Sequence, residues 1–148
     1  MTIHEMISEI QDVCLLHKQI RNVQVGNNFD IATSKSSEIY PCVWLELPIL
    51  TNYVDGRRKT HSLSINFLTL TKHDNIDDVI AKTSDMEVVA DEVLQAIDDR
   101  FTNIGINDIT ALTLRGFSDD DLSGVRVELT FTVGRECDYR TSFKTPIE

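Results

Sequence analysis

Residues 84–101, SDMEVVADEVLQAIDDRF, constrain the fold more than any other stretch. Met86, Val89, Ala90, Val93, Leu94, Ile97 and Phe101 recur at steps of three and four, which stacks them as one apolar stripe along an α-helix. Asp85, Glu87, Asp91, Glu92, Asp98 and Asp99 fall mostly on the other side, toward water. Ser84 and Glu87 have the spacing of a capping box, in which hydroxyl and carboxylate satisfy the free N–H groups of a helix start. A helix with a single stripe must bury it, and the natural partner is a sheet. Val125, Val127, Leu129, Phe131 and Val133 alternate with Arg126, Glu128, Thr130 and Thr132 without a miss, which marks an antiparallel sheet with one covered face. The two patterns together predict an α+β fold: a mainly antiparallel sheet with a long β-hairpin, packed on one long amphipathic helix plus an N-terminal helix.

Residues 3–20 read as the N-terminal helix, striped by Ile3, Ile7, Ile10, Val13 or Cys14, and Ile20, with Leu16 near the stripe. Thr2 and Glu5 offer it a capping box, and the helix is expected to stop near Arg21 and Asn22. In 23–32, Val23 and Val25 alternate, as do Phe29 and Ile31, around Gly26-Asn27-Asn28, which is either a hairpin turn or a bulge. The Ser-rich 33–39 is a loop. Residues 40–48, YPCVWLELP, read as a strand with Pro41 at its first position, since proline cannot donate to a ladder. The chain continues extended through 49–54, Asp55-Gly56 suggests a type I′ turn, and 58–70 returns with Leu63, Ile65 and Phe67 on one face. This hairpin is long enough for its tip, 53–58, to project beyond the core. For 75–101 the preferred reading is one helix, straight or bent at Thr83-Ser84; the alternative is a loop and a short helix before the main one. Gly105 is a candidate helix stop, 109–115 a strand and 118–124 a loop. Residues 138–148 mix charges and aromatics without period and read as a docking arm. With no internal repeat and no linker composition, 1–148 reads as a single domain, and 148 residues suffice for a substantial core.

Composition narrows the function classes. Fourteen basic against 24 acidic residues leave a net charge of −10, which disfavours nonspecific grip on DNA or anionic lipid. No apolar run approaches the roughly 20 residues of a bilayer span, and the beginning, MTIHEMISEI, has neither a basic segment nor a continuous apolar core, so no signal peptide or anchor is expected. Cys14, Cys42 and Cys137 are odd in number, widely spaced and outside any C-x-x-C pair, the pattern of free thiols in a reducing cytoplasm.

Linear signatures of catalysis are missing. Asp119-Asp120-Asp121 lacks the alternating ligands, central Gly and terminal Glu of a calcium loop and reads as a solvated turn. Asp77 and Asp78 suit the first turn of a helix, where negative charge is favoured. His4, His17, His61 and His73 show no zinc spacing. There is no G-x-S-x-G elbow, no P-loop and no G-x-G-x-x-G. No catalytic residue, metal or cofactor is therefore assigned, although an acid–base pair assembled in space leaves no linear trace. The dense basic cluster Arg57-Arg58-Lys59, beside Tyr53, has three readings: a nucleic-acid contact through phosphate charge and stacking, a contact with the acidic face of another copy, or a solvated turn that blunts a hairpin edge.

The order helix, short strands, long hairpin, helix and two closing strands resembles the small tail-terminator and neck proteins of tailed bacteriophages. The likeness rests on Tyr40-Pro-Cys-Val-Trp-Leu-Glu-Leu-Pro48, the helix region 74–101 and the strand 125–133. The Tyr-Pro-x-hydrophobic-Trp strand before a long hairpin is similar to sequences from phages of gut Bacteroidetes, including the crAss-like group. The resemblance spans about residues 1–137, leaves 138–148 without a counterpart and carries over no catalytic residue. It implies a virion structural protein, assembled in the host bacterial cytoplasm, that forms a six- or twelve-fold homomeric ring between portal and tail. Its partners would be further copies of itself and neighbouring portal, neck or tail proteins, with DNA passing through the lumen without specific binding and no membrane contact. Ring closure uses one patch against a different one. Here Tyr53, Asp55, Arg57 and Arg58 of the hairpin would meet Asp91, Glu92, Asp98 and Asp99 of the helix, with Tyr139, Arg140 and Phe143 of the arm also at the interface. The runner-up is a small cytoplasmic α+β enzyme or ligand-binding domain with a cleft assembled in space, which a stable monomer with a deep pocket would favour. A nucleic-acid module comes third, and steeply salt-dependent DNA affinity would be its mark.

Overall fold

The computed structural model describes residues 1–27, 39–72, 74–101, 105–117 and 122–135, together with Ser142 and Lys144. Helix α1, Ile3–Leu16, opens on the expected capping box: the Glu5 N–H donates to Thr2 Oγ1 at 3.2 Å and the Thr2 N–H to Glu5 Oε2 at 3.3 Å. It stops before Arg21, because His17 turns to extended backbone and its N–H caps the Cys14 carbonyl. The buried stripe is Met6, Ile10, Val13 and Cys14, rotated from the expected line, so that Ile3 and Leu16 are exposed. Ile20 is buried from the segment that follows the helix.

Six strands form one sheet among the described residues. They are β1 Asn22–Gly26, β2 Cys42–Glu46, β3 Leu50–Tyr53, β4 Arg58–Leu70, β5 Gly105–Phe117 and β6 Leu122–Gly134. The order is β1-β2-β4-β6-β5, with β3 paired to the first part of β4. All pairings are antiparallel except β1 with β2, which run parallel from Asn22↔Cys42 to Gly26↔Glu46. Phe29 and Ile31 lie outside the described residues. Gly26 therefore ends a strand of a parallel pair, whose partners need a long crossover between them rather than a tight turn.

Helix α2, Ile76–Arg100, is a single helix. Its N-cap is Asn75, whose side-chain oxygen accepts the Asp78 N–H at 3.2 Å, and Asp77 and Asp78 occupy the first turn. Ser84 consequently lies two turns inside the helix, and the Ser84–Glu87 capping box is not a helix start. Met86, Val89, Ala90, Val93, Ile97 and Phe101 are buried as expected, while Leu94 is half-buried. Upstream only Val79 joins the buried set; Ile76 and Ile80 face out. Phe101 ends the helix by donating its N–H to the Ile97 carbonyl, so Gly105 is not the stop but the first residue of β5.

The register explains the core. Leu63, Ile65 and Phe67 of β4 pair with Leu129, Val127 and Val125 of β6, and Val43 and Leu45 of β2 pair with Phe67 and Ile65. Period-two alternation places all of these side chains on the face that α1 and α2 cover, in one buried cluster with the helix stripes. Phe101 meets Phe131 edge to face, ring centroids 6.1 Å apart. Gly124, read from the sequence as loop, is inside β6 opposite Leu68. A Cβ there would fall on the Phe67 carbonyl oxygen, 2.9 Å from its carbon and 3.2 Å from Leu68 Cα, so only glycine permits this approach of the two backbones.

Candidate functional site

The tip of the β3–β4 hairpin is exposed at Tyr53, Val54, Asp55, Gly56, Arg57 and Arg58, the projection the sequence led us to expect. The turn is not type I′. Tyr53 pairs with Lys59 and the Val54 N–H donates to the Arg58 carbonyl at 3.0 Å, so the loop is wider than two residues. A type I′ turn needs positive φ at both central residues, and neither Asp55 nor Gly56 has it. The Asp55 carboxylate organises the turn instead. Its Oδ1 accepts the N–H groups of Arg57 and Arg58 at 2.7 and 2.9 Å. Its Oδ2 accepts Nε and Nη2 of Arg58 at 3.1 and 2.9 Å. The Arg57 N–H and then the Arg58 guanidinium hold its pKa below the ordinary carboxylate value.

A further cation, missed in the sequence, completes the tip. Arg135 follows β6; its N–H donates to the Arg57 carbonyl at 2.8 Å and its Nη1 to the Asp55 carbonyl at 2.9 Å. Its guanidinium lies 4.9 Å from the Tyr53 ring centroid, within the range of a cation–π contact. Gly134↔Arg58 in the β4–β6 register brings Arg135 there. Of the basic triplet, Arg58 is thus committed to Asp55 and Lys59 is half-buried in β4, leaving Arg57 as the exposed charge toward solvent.

Asp91, Glu92, Asp98 and Asp99 are all exposed on α2. Asp91 accepts a hydrogen bond from Gln95 Nε2 at 3.0 Å, and Glu92 Oε2 is 3.7 Å from His17 Nε2. Asp98 and Asp99 precede Arg100, whose Nε pairs with Glu9 of α1 at 2.7 Å. Within one chain, no ion pair among the described residues joins the hairpin tip to these four carboxylates. Tyr139, Arg140 and Phe143, the rest of the 138–148 arm apart from Ser142 and Lys144, and Asp119-Asp120-Asp121 lie outside the described residues.

Among the described residues, two of the hollows that border the sheet bear on the site. One, of about 400 Å³, runs between α2 and the edge strand β5; Val88, Leu94, Ile109 and Ala111 line it, with Glu87 and Asp91 at its helix side. Val88 and Ile109 are 58% and 47% exposed there. Asp108, at a φ of 53°, marks a register shift between β5 and β6 next to Ile109 of this groove, and itself lines the second hollow. The other, of about 470 Å³, lies on the sheet face away from the helices and is polar, with Glu46, Arg126, Ser64 and Glu128 in its wall. Glu46 is held there by Arg126 Nη2 at 2.9 Å and by Asn66 Nδ2 at 3.0 Å, which leaves its carboxylate engaged as a structural acceptor.

Cys14 and Cys42 are free and buried, and desolvation pushes both thiols up to about 12, so neither is a nucleophile at neutral pH. Among the described residues, no group of three or more His, Cys, Asp and Glu side chains converges as a metal site requires. Nor is any described helix long and apolar enough to cross a membrane. Neither a protein-family model nor a curated protein matches the chain.

Proposed function

We propose that this chain is a non-catalytic structural subunit of a tailed-phage virion, closing head-to-tail into a six- or twelve-fold ring in the neck or tail between portal and tail. The observation that carries the reading is the pair of unlike surfaces on one chain: a cationic hairpin tip around Arg57, Arg135 and Tyr53, and a run of exposed carboxylates along α2. No ion pair among the described residues joins them within the chain, and contacts between unlike patches build rings when the rotation closes. The resemblance of residues 1–137 to tail-terminator and neck proteins supplies the setting. The ring would assemble in the host cytoplasm, contact neighbouring portal, neck or tail proteins, and carry enough negative charge to let DNA pass without sticking.

Electron cryo-microscopy of the purified chain tests the reading. Closed annular particles are expected, and Arg57→Glu, which puts like charge against the carboxylates, should disperse them. Rings that survive Arg57→Glu with the same symmetry would remove the patch model. The polar hollow around Glu46 and Arg126 favours a second reading, a ligand-binding domain; a monomer that stays monomeric on concentration would promote it.

A further inference from the structure

We infer that the groove between α2 and β5 receives the β3–β4 hairpin of a second copy of this chain. The inference rests on the ring reading and names the acceptor surface within it. The groove combines apolar and acidic groups: Val88, Leu94 and Ile109 line it together with Glu87 and Asp91. The hairpin has the matching character. Leu50, Tyr53 and Val54 are 61%, 67% and 53% exposed, next to the cations Arg57 and Arg135. Apolar groups meeting apolar groups at the centre, with opposite charges at the margin, is the composition of a specific interface.

The chain cannot fill its own groove with its own hairpin. β3 and β5 lie on opposite sides of the β4–β6 pair, three strand spacings apart, or roughly 14 Å. The contact must therefore be made between copies, and because the two surfaces differ it is heterologous, the kind that propagates around a ring. The bulge at Asp108 also matters. It breaks the β5–β6 register between Asn107 and Thr110; a bulge in an edge strand blunts simple edge-to-edge addition, and side-chain docking above the sheet is the better match.

Crosslinking of the full-length chain tests this. In a Cys137→Ser background, Tyr53→Cys and Val88→Cys are made singly and together; Cys14 and Cys42 are buried and do not compete. Each is treated with a bis-maleimide long enough to bridge the groove, and native mass is measured in parallel. The double variant should give a covalent ladder of multiples of the 16.8 kDa chain, while each single variant stays at one chain mass. A dimer from Val88→Cys alone would mean that groove packs on groove, and would overturn the inference. So would absence of a ladder when native mass still reports a ring, an outcome that leaves the ring reading standing. A monomeric native mass with no ladder would overturn both. A Val88→Cys thiol protected from maleimide in a monomer would assign the groove to this chain's own residues, again against the inference.

Discussion

Phe131→Ala is the sharpest test of the packing. Phe131 is fully buried on β6, opposite His61 of β4, and its ring stands at 78° to that of Phe101 at the end of α2. Truncating a buried Phe costs about 3–5 kcal/mol through lost transfer energy and the cavity left behind. The edge-to-face pair adds about 0.5–1.5 kcal/mol beyond area burial, which places this site in the upper half of that range. For a chain of this length each kcal/mol moves the midpoint by about 2–4 °C, so Phe131→Ala should melt roughly 10–15 °C lower. The assay is thermal unfolding followed by circular dichroism, at one fixed protein concentration because assembly contributes to apparent stability. Asp99→Ala, at an exposed helix position, should stay within about 0.5 kcal/mol of the parent. Leu94, which the sequence placed on the same stripe, is only half-buried, so Leu94→Ala should fall near the lower limit of about 2 kcal/mol for Leu truncations. A Phe131→Ala shift no larger than that of Asp99→Ala would refute the assignment of this β6 face to the core.

Two further predictions concern the sheet. Gly124→Ala should destabilise at or above the upper end of the usual overpacking cost of about 1–3 kcal/mol, because the obstacle is the Phe67 backbone rather than a side chain that can move. Gly56→Ala, whose Cβ would meet nothing within 4 Å, is the control, and equal denaturation midpoints for the two would contradict the described β4–β6 approach. His61 is buried with Nδ1 2.8 Å from Thr51 Oγ1, and burial first, then the Lys59 charge and the N-terminus, push its pKa below 6.5. The unfolded chain then takes up this proton more readily, so the contribution is complete above pH 6.5 and declines as pH falls from there through the depressed folded value. His61→Gln should flatten that part of the stability–pH curve; an unchanged slope would refute the assignment.

Much of this architecture is legible locally. The alternation of Leu63, Ile65 and Phe67 located β4, and Val125 to Val133 located most of β6, because one covered face writes itself into a period of two. The stripe from Met86 to Phe101 located α2 for the corresponding reason. Its start was less clear, since both Ser84 and Asn75 can cap a helix; only the continuous helical backbone through Thr83-Ser84 chooses Asn75. In α1, two adjacent stripes are both apolar, and the choice of Met6 over Ile3 is made by what lies underneath. Parallel pairing of β1 with β2 left no local mark, because the partners are joined by a crossover and not by a turn. Arg135 was hidden for a similar reason: it sits in a stretch without period, and its contact with Asp55 spans 80 positions of sequence. The hairpin tip itself was visible as a basic, aromatic cluster, but the loss of Arg58 to Asp55 requires the fold to be seen.

Native mass spectrometry of the full-length chain at micromolar concentration tests the proposed assembly most directly. One dominant species at six or twelve times the 16.8 kDa chain mass is expected. A single-chain mass that persists across the whole accessible concentration range would contradict it.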